Sequence, residues 1–152
     1  MIAPADDLDR IMQVMEAAFD PAFGEAWTRR QVEDALLTGN CHYGLVFRQD
    51  RCAGFFLSRS ILDEEELLLL AVCPEFRRQG FGQQLISQLF AEARERGCEY
   101  LLLEMRRGNP AESLYVRNYF KPIGLRQNYY KVPSGDRIDA ITFKAELSNF
   151  FG

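Results

Sequence analysis

The segment Val72-Cys73-Pro74-Glu75-Phe76-Arg77-Arg78-Gln79-Gly80-Phe81-Gly82 joins two stretches of different character. Before it, Leu67 to Val72 is an unbroken apolar run closed by Pro74, a pattern that fits a strand covered on both faces. After it, Leu85, Ile86, Leu89, Phe90 and Ala93 recur at helical spacing, which predicts a helix from about Gly82 to Arg96 ended by Gly97. Tyr100 to Met105 then predicts a second buried strand. In such a strand–helix–strand crossover the helix N-terminus opens beside the carboxyl ends of two central strands, where ligands tend to bind. Glycines at 80 and 82 let the backbone N–H groups of residues 78–83 turn inward there. Unpaired donors and the positive end of the helix dipole suit a pyrophosphate, and Arg77 and Arg78 add charge at the rim. No Gly-Lys-Ser/Thr follows, so the segment is not a Walker loop. A third glycine and a later ribose-binding acid are missing, so it fits neither dinucleotide fingerprint well.

Outward from this unit, Leu8, Ile11, Met12, Met15 and Phe19 predict a helix starting at Asp6 or Asp7, with its acidic residues at the favourable end. Thr28 with Gln31 reads as a capping box that opens a second helix through Val32 and Leu36 to Gly39. Residues 41–48 and 52–61, joined by Gln49-Asp50-Arg51, read as a hairpin, and Leu62-Asp63-Glu64-Glu65 as a turn. Asn109-Pro110 offers an N-cap and an N1 proline for a short helix through Arg117. Strands near 124–131 and 138–147 are separated by Pro133-Ser134-Gly135-Asp136, and Met1-Ile2-Ala3 reads as a short strand before Pro4. The expected fold is a mixed α/β (α+β) sandwich, a central sheet flanked by helices.

The 152 residues suit one domain, 1–152, and 47% hydrophobic with 26% charged residues excludes disorder. A net charge of −4 is a poor footprint for nucleic acid and favours encounter with basic proteins or amines. Cys41, Cys52, Cys73 and Cys98 form no CxxC pair and His42 is the only histidine, so no metal is expected, and a hydrolase triad would need His42 as its base. No apolar run reaches the ~18 residues of a membrane span. With no leader-like start, the thiols read as reduced, in a cytoplasmic protein.

Arg77-x-x-Gly80-x-Gly82 matches Arg/Gln-x-x-Gly-x-Gly/Ala, the acyl-CoA pyrophosphate loop of the GNAT superfamily of N-acetyltransferases, and the order of elements resembles that family's fold over essentially the whole chain. Leu101-Leu102-Leu103-Glu104-Met105-Arg106, Asn109, Ala111 and Leu114-Tyr115 look like the strand and helix that face the thioester. Arg126-Gln127-Asn128-Tyr129-Tyr130 and Gly135-Asp136-Arg137-Ile138-Asp139-Ala140-Ile141 resemble the tail of RimI-type ribosomal-protein-alanine N-acetyltransferases, and Ala26-Trp27-Thr28 sits where that group has a Pro-Trp-Ser-like start.

The resemblance implies acetyl-CoA as co-substrate and, as partner, the N-terminal amine of a basic ribosomal protein. It implies that the backbone of Leu70, Ala71 and Val72 pairs with the pantetheine arm, and that the loop from Arg77 through Arg78, Gln79, Gly80, Phe81 and Gly82 to Gln83 cradles the pyrophosphate. Glu104 would accept the proton of the incoming ammonium, Asn109 would hold the cofactor near the thioester, and Tyr115 would give its proton to the departing thiolate. Trp27, Tyr129 and Tyr130 would flank a peptide groove. Departures are present: the Asn109–Tyr115 interval is one residue short, Tyr119 replaces a usual glycine, Leu69 stands where asparagine is common, and Cys73 where aspartate is frequent. One residue on a helix turns a side chain by about 100°. Other readings are acetylation of a lysine side chain or small molecule, and a non-catalytic acyl-CoA-binding module.

Overall fold

Asp6 and Asp7 begin a helix, α1 (Ala5–Ala18), that buries Leu8, Ile11, Val14 and Met15 at helical spacing. The computed structural model describes residues 5–151, so the strand expected at Met1-Ile2-Ala3 lies outside the described residues. A 3₁₀ turn, Pro21–Phe23, follows, capped by the Asp20 side chain and left through Gly24 at φ 62°. The capping box of Thr28 and Gln31 opens α2 (Arg29–Leu37) as its spacing predicts.

The sheet is built from β1 (Cys41–Arg48), β2 (Arg51–Ile61), β3 (Glu64–Val72), β4 (Tyr100–Arg106), β5 (Lys121–Lys131) and β6 (Arg137–Glu146). Their order is β1-β2-β3-β4-β6-β5, with β3 and β4 parallel and the other pairs antiparallel. Between β3 and β4 runs α3 (Phe81–Glu95), which buries Leu85, Ile86, Leu89, Phe90 and Ala93. Phe55 and Phe56 are neighbours that point to opposite faces of β2, yet both are fully buried. That requires cover on both sides: α1 packs on one face and α3 on the other. This is the expected α+β architecture.

Several boundaries differ from the sequence expectation. The turn after β2 is only Leu62-Asp63, because β3 begins at Glu64. Glu65 lies fully buried inside the strand, accepting hydrogen bonds from Arg96 Nε at 3.1 Å and Cys98 Sγ at 3.6 Å. A carboxylate there needs its cation. Arg96→Met is therefore expected to destabilise the fold by about 3 kcal/mol, read as a lower urea midpoint at unchanged slope.

Asn109 does not cap a helix at Pro110. Its Oδ1 accepts from Ala111 N–H at 2.9 Å and closes a turn, and α4 (Glu112–Arg117) starts after it. The helix ends where the missing glycine would stand, with Tyr119 itself left-handed at φ 71°. An unforeseen short helix, α5 (Leu147–Phe151), brings Phe150 to 4.5 Å from Phe90 by ring centroids. Strand β5 starts three residues earlier than expected and is exposed along nearly its whole length at the sheet edge.

Candidate active site

The parallel pairing of β3 with β4 covers only Glu64–Leu67 against Tyr100–Leu103; beyond it the strands separate. The separation begins at a bulge. Leu57 pairs with Leu69 and Ser58 with Leu67, leaving Leu68 as the extra residue on β3. A bulge bends and twists its strand. Residues 69–72 keep β2 on one side and have no strand on the other, so their backbone groups toward β4 are open for an extended ligand to pair with. Leu70, Ala71 and Val72 all lie in this open stretch. The side chains of Leu70, Val72 and Leu68 are half-buried, with Leu67, Leu69 and Ala71 buried, rather than the whole run being covered.

The wedge between the strands is a narrow cleft of about 60 Å³ lined by Leu67–Leu70, Leu103–Met105, Phe19, Glu25, Asn109 and Tyr115. A larger open depression of about 510 Å³ lies at the α1 side of β2 and is lined by none of the expected catalytic, cofactor-binding or substrate-binding residues. Its Arg51 is paired with Glu75 at 2.6 Å, and Arg10, also on its wall, with Asp7 at 2.9 Å. The narrow cleft is where the strand topology, the unpaired backbone and the titratable groups converge.

At the mouth of the cleft stands the N-terminus of α3. Gly80 is left-handed at φ 86° and no side chain caps the helix, while Gln84 N–H already bonds Gly80 O. The N–H groups of Phe81, Gly82 and Gln83 therefore have no intrahelical acceptor. The loop's side chains hold it in shape. Arg77 donates to the carbonyls of Val72 and Ala18 at 3.1 and 3.0 Å, and Gln79 bonds Arg48 and the carbonyl of Glu75. Gln83 and Asn118 exchange two hydrogen bonds at 2.8 and 2.9 Å, and Asn118 is buried. A Cβ at Gly82 would stand 3.0 Å from Leu114, so glycine there also permits the approach of α4. Arg78, at φ 62°, keeps its exposed side chain without a hydrogen bond or ion pair among the described residues. The loop's donors are its backbone and Arg78; Arg77, Gln79 and Gln83 are braces.

Glu104 stands on β4 opposite Thr142 of β6. Its Oε2 accepts from Thr142 Oγ1 at 3.1 Å and pairs with Arg126 Nε at 3.3 Å. The guanidinium of Arg126 also lies 4.8 Å over the Tyr129 ring. Tyr115, on α4, is buried against Phe120 and lines the same cleft as Glu104 and Asn109. The turn at Asn109–Ala111 precedes α4, and with the short interval Tyr115 still lines the cleft with Asn109. Burial, and then the Glu25 carboxylate, hold the Tyr115 phenol well above the ordinary range. Tyr130 is pushed up to about 12 by burial, then by the charges of Glu104 and Glu25.

Of the expected residues, Glu104, Tyr115, Asn109 and Leu70 meet in the cleft, and Tyr130 feels both of its carboxylates. Tyr129 is exposed on β5, and Trp27 packs at the edge of the core without lining the cleft. Arg106 is not the partner of Glu104: its Nε bonds Glu25 Oε1 at 3.2 Å, and its guanidinium rests 3.6 Å over the Phe23 ring. Glu25, Thr142 and Asn118 were not singled out by sequence reasoning, and Arg126 entered it only as part of the tail motif. The only available signal was strand alternation, which puts Arg106 on the face of Glu104 and so asks for an acid nearby.

A model of the acetyltransferase (GNAT) family matches residues 8–119. The ribosomal protein bS18-alanine N-acetyltransferase of Haemophilus influenzae is 33% identical over 102 residues, 67% of this chain and 70% of that protein. The crystal structure of the ribosomal-protein-S18-alanine N-acetyltransferase from Escherichia coli superposes with a TM-score of 0.83 at 28% identity, covering 97% of this chain and 92% of that one. A PaiA N-acetyltransferase from Thermoplasma acidophilum in complex with coenzyme A shares the fold, with a TM-score of 0.73 at 15% identity and 96% of each chain covered.

Proposed function

The chain belongs to the acetyltransferase (GNAT) family and is an acetyl-CoA-dependent N-acetyltransferase, and we propose that its acceptor is the α-amine of an N-terminal alanine on a ribosomal protein. The observation that carries the reading is the wedge between β3 and β4, with an open strand edge, a carboxylate on one wall and a buried phenol in the same cleft. Residues 1–152 act as one domain in this reading, in the cytoplasm, where its substrate is made. The net charge of −4 favours encounter with a basic tail.

Acetyl-CoA supplies the acetyl group as a thioester. The residues present fit it: the unpaired backbone of Leu70, Ala71 and Val72 suits the amides of its arm, and the N–H groups of Phe81, Gly82 and Gln83 with Arg78 suit its pyrophosphate. Asn109 uses Oδ1 in its turn and leaves its amide N–H₂ for the arm.

An α-amine titrates near 7.7–8, so about a tenth of it is neutral at pH 7, against about one part in 2,500 of a lysine near 10.4. Modest base assistance is enough, and Glu104 accepts the proton directly or through one water. Tyr115 stays protonated in its buried site and donates a hydrogen bond toward the sulfur. Thiols titrate near 8.5, below tyrosine near 10, and burial widens that gap. A phenol kept protonated in this way is available to give its proton to the departing thiolate, the role implied by the family resemblance, and to hydrogen-bond the charge developing on sulfur.

Gly80→Val tests the loop. Nothing lies within 4 Å of a Cβ at this position, so only the left-handed backbone resists the change. The strain is about 1–3 kcal/mol. If the loop relaxes to relieve it, the acetyl-CoA Kd measured by calorimetry rises about 5- to 150-fold. The acceptor itself is tested by incubating the protein with acetyl-CoA and a peptide that begins with alanine, contains lysine and continues with basic residues. Fragment masses should carry the acetyl group on residue 1 of the peptide; acetyl on lysine alone overturns the proposal.

A further inference from the structure

We infer that Glu25 is a second carboxylate that holds the substrate's α-ammonium beside Glu104, a specificity contact lining the same cleft. The inference rests on the N-terminal reading above. Glu25 comes from the irregular segment between α1 and α2, not from the crossover unit, yet it lines the same cleft as Glu104, Asn109 and Tyr115.

Its placement is built rather than incidental. The 3₁₀ turn at Pro21–Phe23 is capped by Asp20, and Gly24 leaves it left-handed, which brings Glu25 back toward β4. Arg106 then fixes the carboxylate by donating to Oε1 at 3.2 Å, while its guanidinium lies flat over Phe23 and is only 12% exposed. The other oxygen, Oε2, makes no hydrogen bond to a protein group among the described residues. Glu104 is arranged in the same way, with Oε2 held by Thr142 and Arg126 and Oε1 left over. The site therefore presents two carboxylates, each anchored through one oxygen and carrying one free acceptor.

Both acids line the cleft together with Tyr115, and the charges of both act on Tyr130. An α-ammonium has three N–H donors, and two free carboxylate oxygens in one cleft match two of them. The proton that must leave for attack goes to Glu104. Glu25, paired with Arg106 through its other oxygen, holds the nitrogen. A neutral group at the same position, such as a blocked N-terminus, brings no positive charge and fewer N–H donors to the two free oxygens, so the pair also disfavours product.

The test separates recognition of the ammonium from mere support of the fold. Wild type, Glu25→Gln and Glu25→Asp are assayed by thiol release on the alanine peptide, with a des-amino analogue (propionyl in place of alanyl) as competitive inhibitor. Glu25→Gln should raise KM for the free-amine peptide about tenfold or more, leave kcat within about threefold, and leave the Ki of the des-amino analogue and the acetyl-CoA Kd unchanged. Glu25→Asp, which keeps the charge at shorter reach, should restore part of the KM. If Gln at 25 loosens the fold through Arg106, the Asp variant decides by the same ratio of KM to des-amino Ki. Equal losses for peptide and analogue, or an unchanged KM, overturn the inference. Wild-type protein that releases no thiol with the free peptide overturns the N-terminal reading itself, and with it this one.

Discussion

Glu104→Gln is expected to lower kcat/KM for a free N-terminal peptide by about 10²- to 10⁴-fold, the range that a positioned general base contributes. The substitution is nearly isosteric, and its amide oxygen still accepts from Thr142 Oγ1, which donates at 3.1 Å in the native strand pair. The open edge of β3 and the start of α3 are untouched, so acetyl-CoA affinity should be unchanged. The loss should fall on kcat, because Glu25 lines the same cleft and keeps a carboxylate there for the ammonium. Steady-state kinetics with calorimetric binding of acetyl-CoA checks both halves. Activity within about threefold of wild type would remove Glu104 from the proton path.

Tyr115→Phe is expected to cost about 10²- to 10³-fold in kcat, comparable to removal of one preorganised donor at a developing charge. Phe keeps the volume and the edge-on packing against Phe120, whose ring centroid lies 5.7 Å away, so the fold should lose little. A second readout distinguishes a protonated phenol from an ionised one. Burial and Glu25 keep Tyr115 from ionising in the folded protein near physiological pH and well above it. Tyrosinate absorbance at about 295 nm should therefore be the same in wild type and Tyr115→Phe up to about pH 11. A step missing from the variant below that pH would mean that the phenol is not shielded as described.

Local chemistry made most of the fold legible. The capping box at Thr28 and Gln31, the periodicity behind Gly80 and the apolar runs of β3 and β4 are decided within a few residues, and each appears in the structure close to its expected place. The first residues of β3 were misread because Leu62-Asp63-Glu64-Glu65 looks like solvated turn; the cation that lets Glu65 enter the sheet is Arg96, 31 residues away. Asn109 looked like a helix cap for a sound local reason, and it does satisfy a backbone N–H, but in a turn one step before the helix.

The candidate site divides along the same line. Glu104 and Tyr115 were found because they fall in a motif. Glu25 lies 81 residues from Arg106 in sequence, and Thr142 lies 38 from Glu104, so no local pattern connects either pair. The braces of the loop before α3 are the opposite case. Arg77 and Gln79 match a ligand-binding pattern by spacing, and in space their side chains hold the loop through the protein's own carbonyls and Arg48. The sheet register, not the motif, reveals the opening of β3 from β4 at Leu67.

The most direct test of the account is thiol release from acetyl-CoA with two peptides of identical sequence, one beginning with a free alanine amine and the other with that amine blocked. Turnover on the free peptide, none on the blocked one, is the predicted result. Equal turnover on both would put the transferred acetyl group on a side chain and contradict the assignment of the cleft to a protein N-terminus.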